Sequence, residues 1–338
     1  MSKRFLTCGV LLAASASFAA AQSINAAGAT FPAVIYQKWF EEYHKLHPSA
    51  QINYQSIGSG GGIAQLTAGT VEFGASDMPM RDDQMSKLKM PALHFPTVLG
   101  GVVPTYNIPG VTAILKFTPE TLAGIYLGAI NKWNDPKLAK DNPGVKLPNA
   151  DIITVHRSDG SGTTFVWTDY LSKVSPEWKQ KVGADTSVNW PTAGSLGGKG
   201  NEGVAGVVKQ TPNSIGYVEL IYAIQTKMSY GEVRNAAGKF LRANLNSVTA
   251  AAAGAAKNMP ADFRVSITDA PGATAYPISS FTWMLVPIKI PDAAKRDTIK
   301  AFLKWMLTEG QKYPADLGYA PLPKEVVSKE ELQIDKIQ

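Results

Sequence analysis

Residues 151–172 read DIITVHRSDGSGTTFVWTDYLS. Asp151 to His156 is apolar and rich in β-branched residues, which predicts a strand. Arg157 to Thr164, RSDGSGTT, is a loop of Gly, Ser and Thr that leads into the start of a helix. Two other stretches share this strand–loop–helix design: AGATFP, Ala27 to Pro32, and IGSGGG, Ile57 to Gly62. Around them, β-branched apolar runs alternate with amphipathic segments, which predicts an α/β fold with mostly parallel strands. Strands are expected at Gln51–Ser56, Glu72–Ala75 and Gly101–Asn107. Pro32–His47 reads as a helix with Ile35, Trp39, Tyr43 and Leu46 on one face and Pro32 at its first position. Asp292–Glu309 reads as another, with Ile299, Phe302, Leu303 and Met306 inward and Gly310 as its stop. The alanine run at 250–256 is expected inside a helix.

A helix N-terminus presents free backbone N–H groups and the positive end of the macrodipole, and glycine lets an anion approach the backbone. Each loop can be an anion cradle or an ordinary capped helix start. The third loop adds Arg157 beside Ser161, Gly162 and Thr163. Arginine recognises oxyanions through a two-pronged fork and keeps its proton. Asp159, two residues on, either braces that guanidinium or caps the helix. In FGASDMP, Phe73 to Pro79, Asp77 ends a strand in apolar surroundings, as a turn-former or as a ligand acceptor.

Composition narrows the function. With 45% hydrophobic and 18% charged residues, the 338-residue chain is neither disordered nor collagen-like. Its length suggests two domains at roughly 150 residues each. Cys8 is the one cysteine, so no intramolecular disulfide or cysteine metal cluster can form, and four histidines leave little for zinc. Lys3 and Arg4, a short apolar run and Ala19-Ala20-Ala21 read as a secretory signal peptide cleaved after Ala21. Its removal lowers the formal charge from +6 to +4, because Lys3 and Arg4 leave and no acid does. Mild basicity weakly favours an anionic small ligand or a membrane surface and by itself says nothing about nucleic acid. Proline and glycine cluster at Pro104–Pro109 and Pro271–Pro277, the expected crossings between two domains.

The motifs AGATFP, YQSIGSGGG, FGASDMP, FPTVLGGVVPTYNIPG, RSDGSGTTFVWTDYLS, GGKGNEG and SIGYVE occur in that order over nearly all of the chain after the leader. In them the sequence resembles the periplasmic phosphate-binding proteins of ABC-type high-affinity uptake systems. The resemblance implies a two-lobed class II periplasmic binding protein, each lobe an α/β sandwich, with the ligand in the interlobe cleft. Residues 22–103 with 277–338 would form one lobe and 104–276 the other. It implies that Thr30 and Phe31 of the first loop, Ser59, Arg157, Ser161, Gly162 and Thr163 donate to phosphate, while Asp77 accepts. Gly60 and His156 stand where relatives can carry Ser and Arg. Implied partners are inorganic phosphate and an inner-membrane ABC permease complex. No nucleic acid, metal or cofactor is implied, and the protein is expected to be a periplasmic monomer rather than an enzyme.

Other motifs give less. Gly194 to Gly203, GSLGGKGNEG, fails the GxxxxGK[ST] phosphate-loop template and is expected to be a structural turn over the cleft, outside the site. SDGSGT is not a nucleophile elbow, since Asp159 stands where glycine is needed. His156 is expected to pack or face solvent rather than act as a base for Ser161. Trp39 and Trp305 are expected in the core. A secreted phosphatase would also need a metal cluster or nucleophile pair, and an adhesive protein with a vestigial pocket would bind no oxyanion.

Overall fold

A computed structural model describes residues 22–338; the expected leader, its cleavage site and Cys8 lie outside the described residues. Twelve strands are present: β1 (Gln22–Gly28), β2 (Ala50–Ser56), β3 (Phe73–Ser76), β4 (Ala92–Asn107), β5 (Lys116–Phe117), β6 (Ile153–Arg157), β7 (Leu196–Gly198), β8 (Ser214–Glu219), β9 (Ser229–Tyr230), β10 (Glu232–Arg234), β11 (Phe240–Leu241) and β12 (Ser279–Pro287). The α-helices are α1 (Ala33–Leu46), α2 (Ser59–Ala68), α3 (Asp82–Met85), α4 (Pro119–Tyr126), α5 (Pro136–Asp141), α6 (Gly162–Val174), α7 (Pro176–Lys181), α8 (Gly200–Gln210), α9 (Leu220–Gln225), α10 (Leu245–Lys257), α11 (Ala293–Leu307) and α12 (Lys324–Ile334).

The main sheet runs β2-β1-β3-β12-β4-β8-β6-β7, with β9 also on β4, and β11-β10-β5 form a small second sheet. Its outer strands are parallel, as expected. Its middle is not: β12 is antiparallel to both β3 and β4, and β4 to β8. The reason is the length of β4. Its first part, Ala92–Gly101, pairs with β12, and its second, Val102–Asn107, pairs with β8, so one strand belongs to both halves of the molecule.

The expected strand at Gly101–Asn107 is therefore the second half of a 16-residue strand. Pro96 does not end it, because the register slips there opposite Thr282 and Trp283, a bulge at which a missing N–H does little harm. Pro104 lies inside the strand, opposite Tyr217, rather than in a turn.

α1 packs Ile35, Tyr36, Trp39, Phe40 and Tyr43 inward, but Leu46 is 62% exposed, against expectation. A helical period marks a stripe without marking where its packing partner ends. Pro32 sits one position earlier than expected, at the cap. α11 buries Ile299, Phe302, Leu303 and Met306, and Asp292 caps it through the Ala294 and Lys295 amides. It stops at Leu307, before Gly310, which lies in a 3₁₀ turn. The Gly310 carbonyl there accepts the Trp39 indole N–H at 2.7 Å, tying the turn after α11 to α1. The alanine run lies within α10, which packs on β4, β12 and α12.

Candidate functional site

The three loops converge. Each ends where a helix begins: AGATFP before α1, IGSGGG at α2, and RSDGSGTT at α6. In the first, three successive carbonyls accept tyrosine hydroxyls: Ala29 from the half-buried Tyr54 at 2.7 Å, and Thr30 and Phe31 from the buried Tyr222 at 2.5 Å and Tyr319 at 2.6 Å. Across a trans peptide the carbonyl and the next N–H point opposite ways. Pinning the Ala29 and Thr30 carbonyls thus turns the Thr30 and Phe31 amides away from the tyrosines.

In the second loop Gly58, at φ +85°, precedes α2, and the buried Ser59 hydroxyl accepts the Asp77 N–H at 3.1 Å. The third loop ends at Ser161, whose hydroxyl caps α6 through the Thr164 N–H at 3.0 Å. Ser161 spends its own amide on the Thr186 carbonyl, so its hydroxyl is what remains for a ligand.

Arg157 is buried, and Asp159 braces it. Its Nε reaches one carboxylate oxygen at 2.7 Å and a terminal nitrogen reaches the other at 2.5 Å, which decides between the two roles expected for Asp159. The Gly200 N–H supports the same carboxylate at 3.0 Å. Burial alone would raise the Asp159 carboxyl, but the Arg157 pair and that amide hold it below its ordinary value. The remaining Arg157 nitrogen points past the Thr163 hydroxyl, 3.5 Å away.

Asp77 is the contrasting group. It is buried; one oxygen accepts the Thr282 hydroxyl at 2.7 Å, and the other, Oδ2, has no partner among the described residues. Burial pushes its carboxyl up to about 7, with Thr282 and Arg157 only partly opposing. A Cβ added at Gly162 would stand 2.6 Å from Oδ2 and 2.3 Å from the Ser59 hydroxyl. The first turn of α6, Ser59 and the open side of Asp77 therefore border one small space. A vestibule of about 110 Å³ beside it is lined by Thr30, Ser56, Ile57, Asp159, Lys199, Gly200 and Glu202. A larger surface hollow of about 620 Å³, between α1 and β2, is lined by Ser56 and Tyr54 but by none of the donors, Arg157 or Asp77. Many donors, one guanidinium and one acceptor suit a small oxyanion that brings a proton of its own.

The structure brings Thr30, Phe31, Ser59, Asp77, Arg157, Ser161, Gly162 and Thr163 around this space. It also adds groups the motifs did not indicate. Asn201, at the start of α8 in the glycine-rich stretch assigned outside the site, bonds the hydroxyls of both Thr30 and Thr163. Thr282 lies in a fully buried strand run, and the three tyrosines are scattered through the chain; none carries a local signal. His156 stacks on Trp190 with centroids 4.9 Å apart and bonds the Arg157 carbonyl, as a packing residue. Trp39 and Trp305 are both in the core.

The family model described as "PBP superfamily domain" matches residues 13–309. A phosphate-binding protein PstS of Xylella fastidiosa (strain Temecula1) is 48% identical over 307 residues, covering 90% of this chain and 83% of that one. The phosphate-binding protein PstS of Pasteurella multocida (strain Pm70) is 45% identical over 337 residues, 98% of this chain and 96% of that one. The chain belongs to the PBP superfamily and, within it, to the family of the phosphate-binding proteins PstS. The fold matches a solved high-affinity periplasmic phosphate-binding protein, PfluDING, with a TM-score of 0.75 at 20% identity, covering 92% of this chain and 93% of that one. Among the described residues no helix is long and apolar enough to cross a membrane.

Proposed function

We infer that this chain is a periplasmic solute-binding protein that holds inorganic phosphate in the cleft and delivers it to an inner-membrane ABC permease. It acts as a monomer and catalyses no reaction on its ligand. The Thr30 and Phe31 amides, the hydroxyls of Thr30, Ser59, Ser161 and Thr163, the first-turn amides of α6 at Gly162 and Thr163, and the Arg157 fork donate to phosphate. Asp77 accepts from it. One lobe comprises residues 22–103 and 277–338 and the other 104–276, joined through β4.

The observation that carries this reading is the open Asp77 oxygen, buried beside the donors of α2 and α6. A carboxylate among anion donors suits a ligand that carries a proton. Phosphate near neutral pH does so, whereas sulfate would set acceptor against acceptor. Sites built to bond a ligand hydroxyl can reject an analogue lacking it by about 10⁴ to 10⁵. The names of the relatives and their high identity support the same ligand.

Tryptophan fluorescence of phosphate-stripped protein, titrated with phosphate, arsenate, sulfate and a phosphate ester, tests it. Phosphate and arsenate should saturate the signal at concentrations at which sulfate leaves it unchanged. Tight sulfate binding would overturn the role given to Asp77.

A further inference from the structure

Asn201 is fully buried, and every polar atom of its side chain is used. Its Oδ1 accepts the Glu219 N–H at 3.0 Å, and because that partner can only donate, the amide orientation is fixed by chemistry. Both Nδ2 hydrogens must then point the other way. One reaches the Thr30 hydroxyl oxygen at 2.7 Å and the other that of Thr163 at 3.1 Å. The Asn201 backbone N–H also reaches the Thr30 hydroxyl, at 3.3 Å, and Arg157 reaches that of Thr163 at 3.5 Å.

A hydroxyl has two acceptor positions and one proton. At Thr30 and Thr163 both acceptor positions face donors, so each proton must be given elsewhere. Ser59 and Ser161 each have one acceptor position filled, by the Asp77 and Thr164 amides, and one left open.

We propose that Asn201 is a specificity-determining positioning residue: it holds the Thr30 and Thr163 hydroxyls as obligate donors toward the ligand. The inference rests on the phosphate reading and deepens it. A protonated ligand oxygen is then directed to Asp77, and one placed at Thr30 or Thr163 meets a donor. Without Asn201, either hydroxyl can rotate and accept. The site then tolerates the doubly protonated monoanion that predominates in acid.

The test is a double-mutant cycle read by calorimetry with inorganic phosphate. Asn201→Ala removes the lock, and Asn201→Asp keeps the acceptor for the Glu219 amide while turning the donor into an acceptor. Each is made in the wild-type background and in a Thr30→Val, Thr163→Val background, with folding checked by circular dichroism. In the wild-type background at pH 8 we expect Asn201→Ala to weaken phosphate roughly 10- to 100-fold, the scale of one hydrogen bond to a charged group. Asn201→Asp should weaken it more. In the valine background Asn201→Ala should change affinity by less than about threefold, and the Asn201→Asp loss should shrink, since residues acting through shared partners are not additive. Across pH 5 to 8, the wild-type preference for the higher pH should flatten in Asn201→Ala. Equal losses in the two backgrounds, or parallel pH profiles, overturn the inference. Failure of the wild type to bind phosphate overturns the phosphate reading itself, and this inference with it.

Discussion

Asp77 and Arg157 show how burial acts on two titratable side chains of one candidate site. The Arg157 guanidinium is neutralised within its own loop by Asp159, so its charge is held in place before any ligand arrives. Asp77 has no such partner, and its only side-chain support is a neutral hydroxyl. Its carboxyl therefore sits near 7 in the folded protein, against about 3.9 in an unfolded chain. Between those values the unfolded chain gives up a proton that the folded one keeps, so rising pH favours unfolding. The contribution of Asp77 is most favourable below pH 4 and is lost as pH rises through 7. By linkage the loss is on the order of 4 kcal/mol. Asp77→Asn removes it. Urea unfolding of phosphate-stripped wild type and Asp77→Asn should show the wild type losing stability relative to the variant from pH 4 to pH 7, then running parallel above pH 8. Glu219 and Glu330, also raised by burial, are present in both proteins. A stability difference that stays constant with pH would show that Asp77 is ionised throughout.

At the scale of elements, the site depends on how closely α2 lies on the sheet. Gly62 allows that approach: a Cβ there would stand 2.5 Å from the Gly28 Cα and 2.7 Å from the Ala27 carbonyl oxygen. Those atoms are backbone and cannot rotate aside. Gly62→Ala should therefore lift α2 off β1, destabilise the fold by about 1–3 kcal/mol in urea unfolding, and weaken phosphate binding by displacing Ser59. Unchanged stability and affinity would mean that α2 can shift without consequence. The same element shows what a sequence can reveal. Three glycine-rich loops before helices were legible because helix starts have local chemistry, and α1, α10 and α11 because their composition and periodicity are local too. Asn201 was not, because its meaning lies in Thr30, 171 positions away, and Thr282 was not, because its partner Asp77 is 205 positions away. The antiparallel middle of the sheet escaped for the same reason. A strand read by its own residues gives no direction relative to a neighbour, and β4 read only from Gly101 onward, past its glycines and Pro96, hides that it is one long strand.

Over the whole molecule, several of the contacts across the cleft are polar. The Gly60 N–H meets the Gly160 carbonyl at 2.9 Å, Arg81 meets Asp185 at 3.1 Å on an exposed rim, and Tyr222 and Asn201 reach Thr30. An exposed ion pair contributes little, about 0–1 kcal/mol. Inside, Arg157 is buried against Asp159, and one oxygen of Asp77 is buried without a partner among the described residues. Without ligand those groups favour hydration, and opening the cleft supplies it. On the proposed reading, phosphate would reverse the balance by accepting from both sides at once and donating a hydrogen bond to Asp77, contacts that exist together only when the cleft is shut. A ligand shifts a conformational equilibrium by its differential affinity for the two states, and on that reading most of the affinity for phosphate would belong to the closed one. Hinge closure of this kind is established behaviour for periplasmic binding proteins. Small-angle scattering of the stripped protein should give a larger radius of gyration than scattering of the same sample after phosphate is added, with sulfate producing no compaction. If phosphate binds and the radius does not change, the ligand enters a cleft that is already closed, and the scattered polar contacts across it are stronger than their exposure allows.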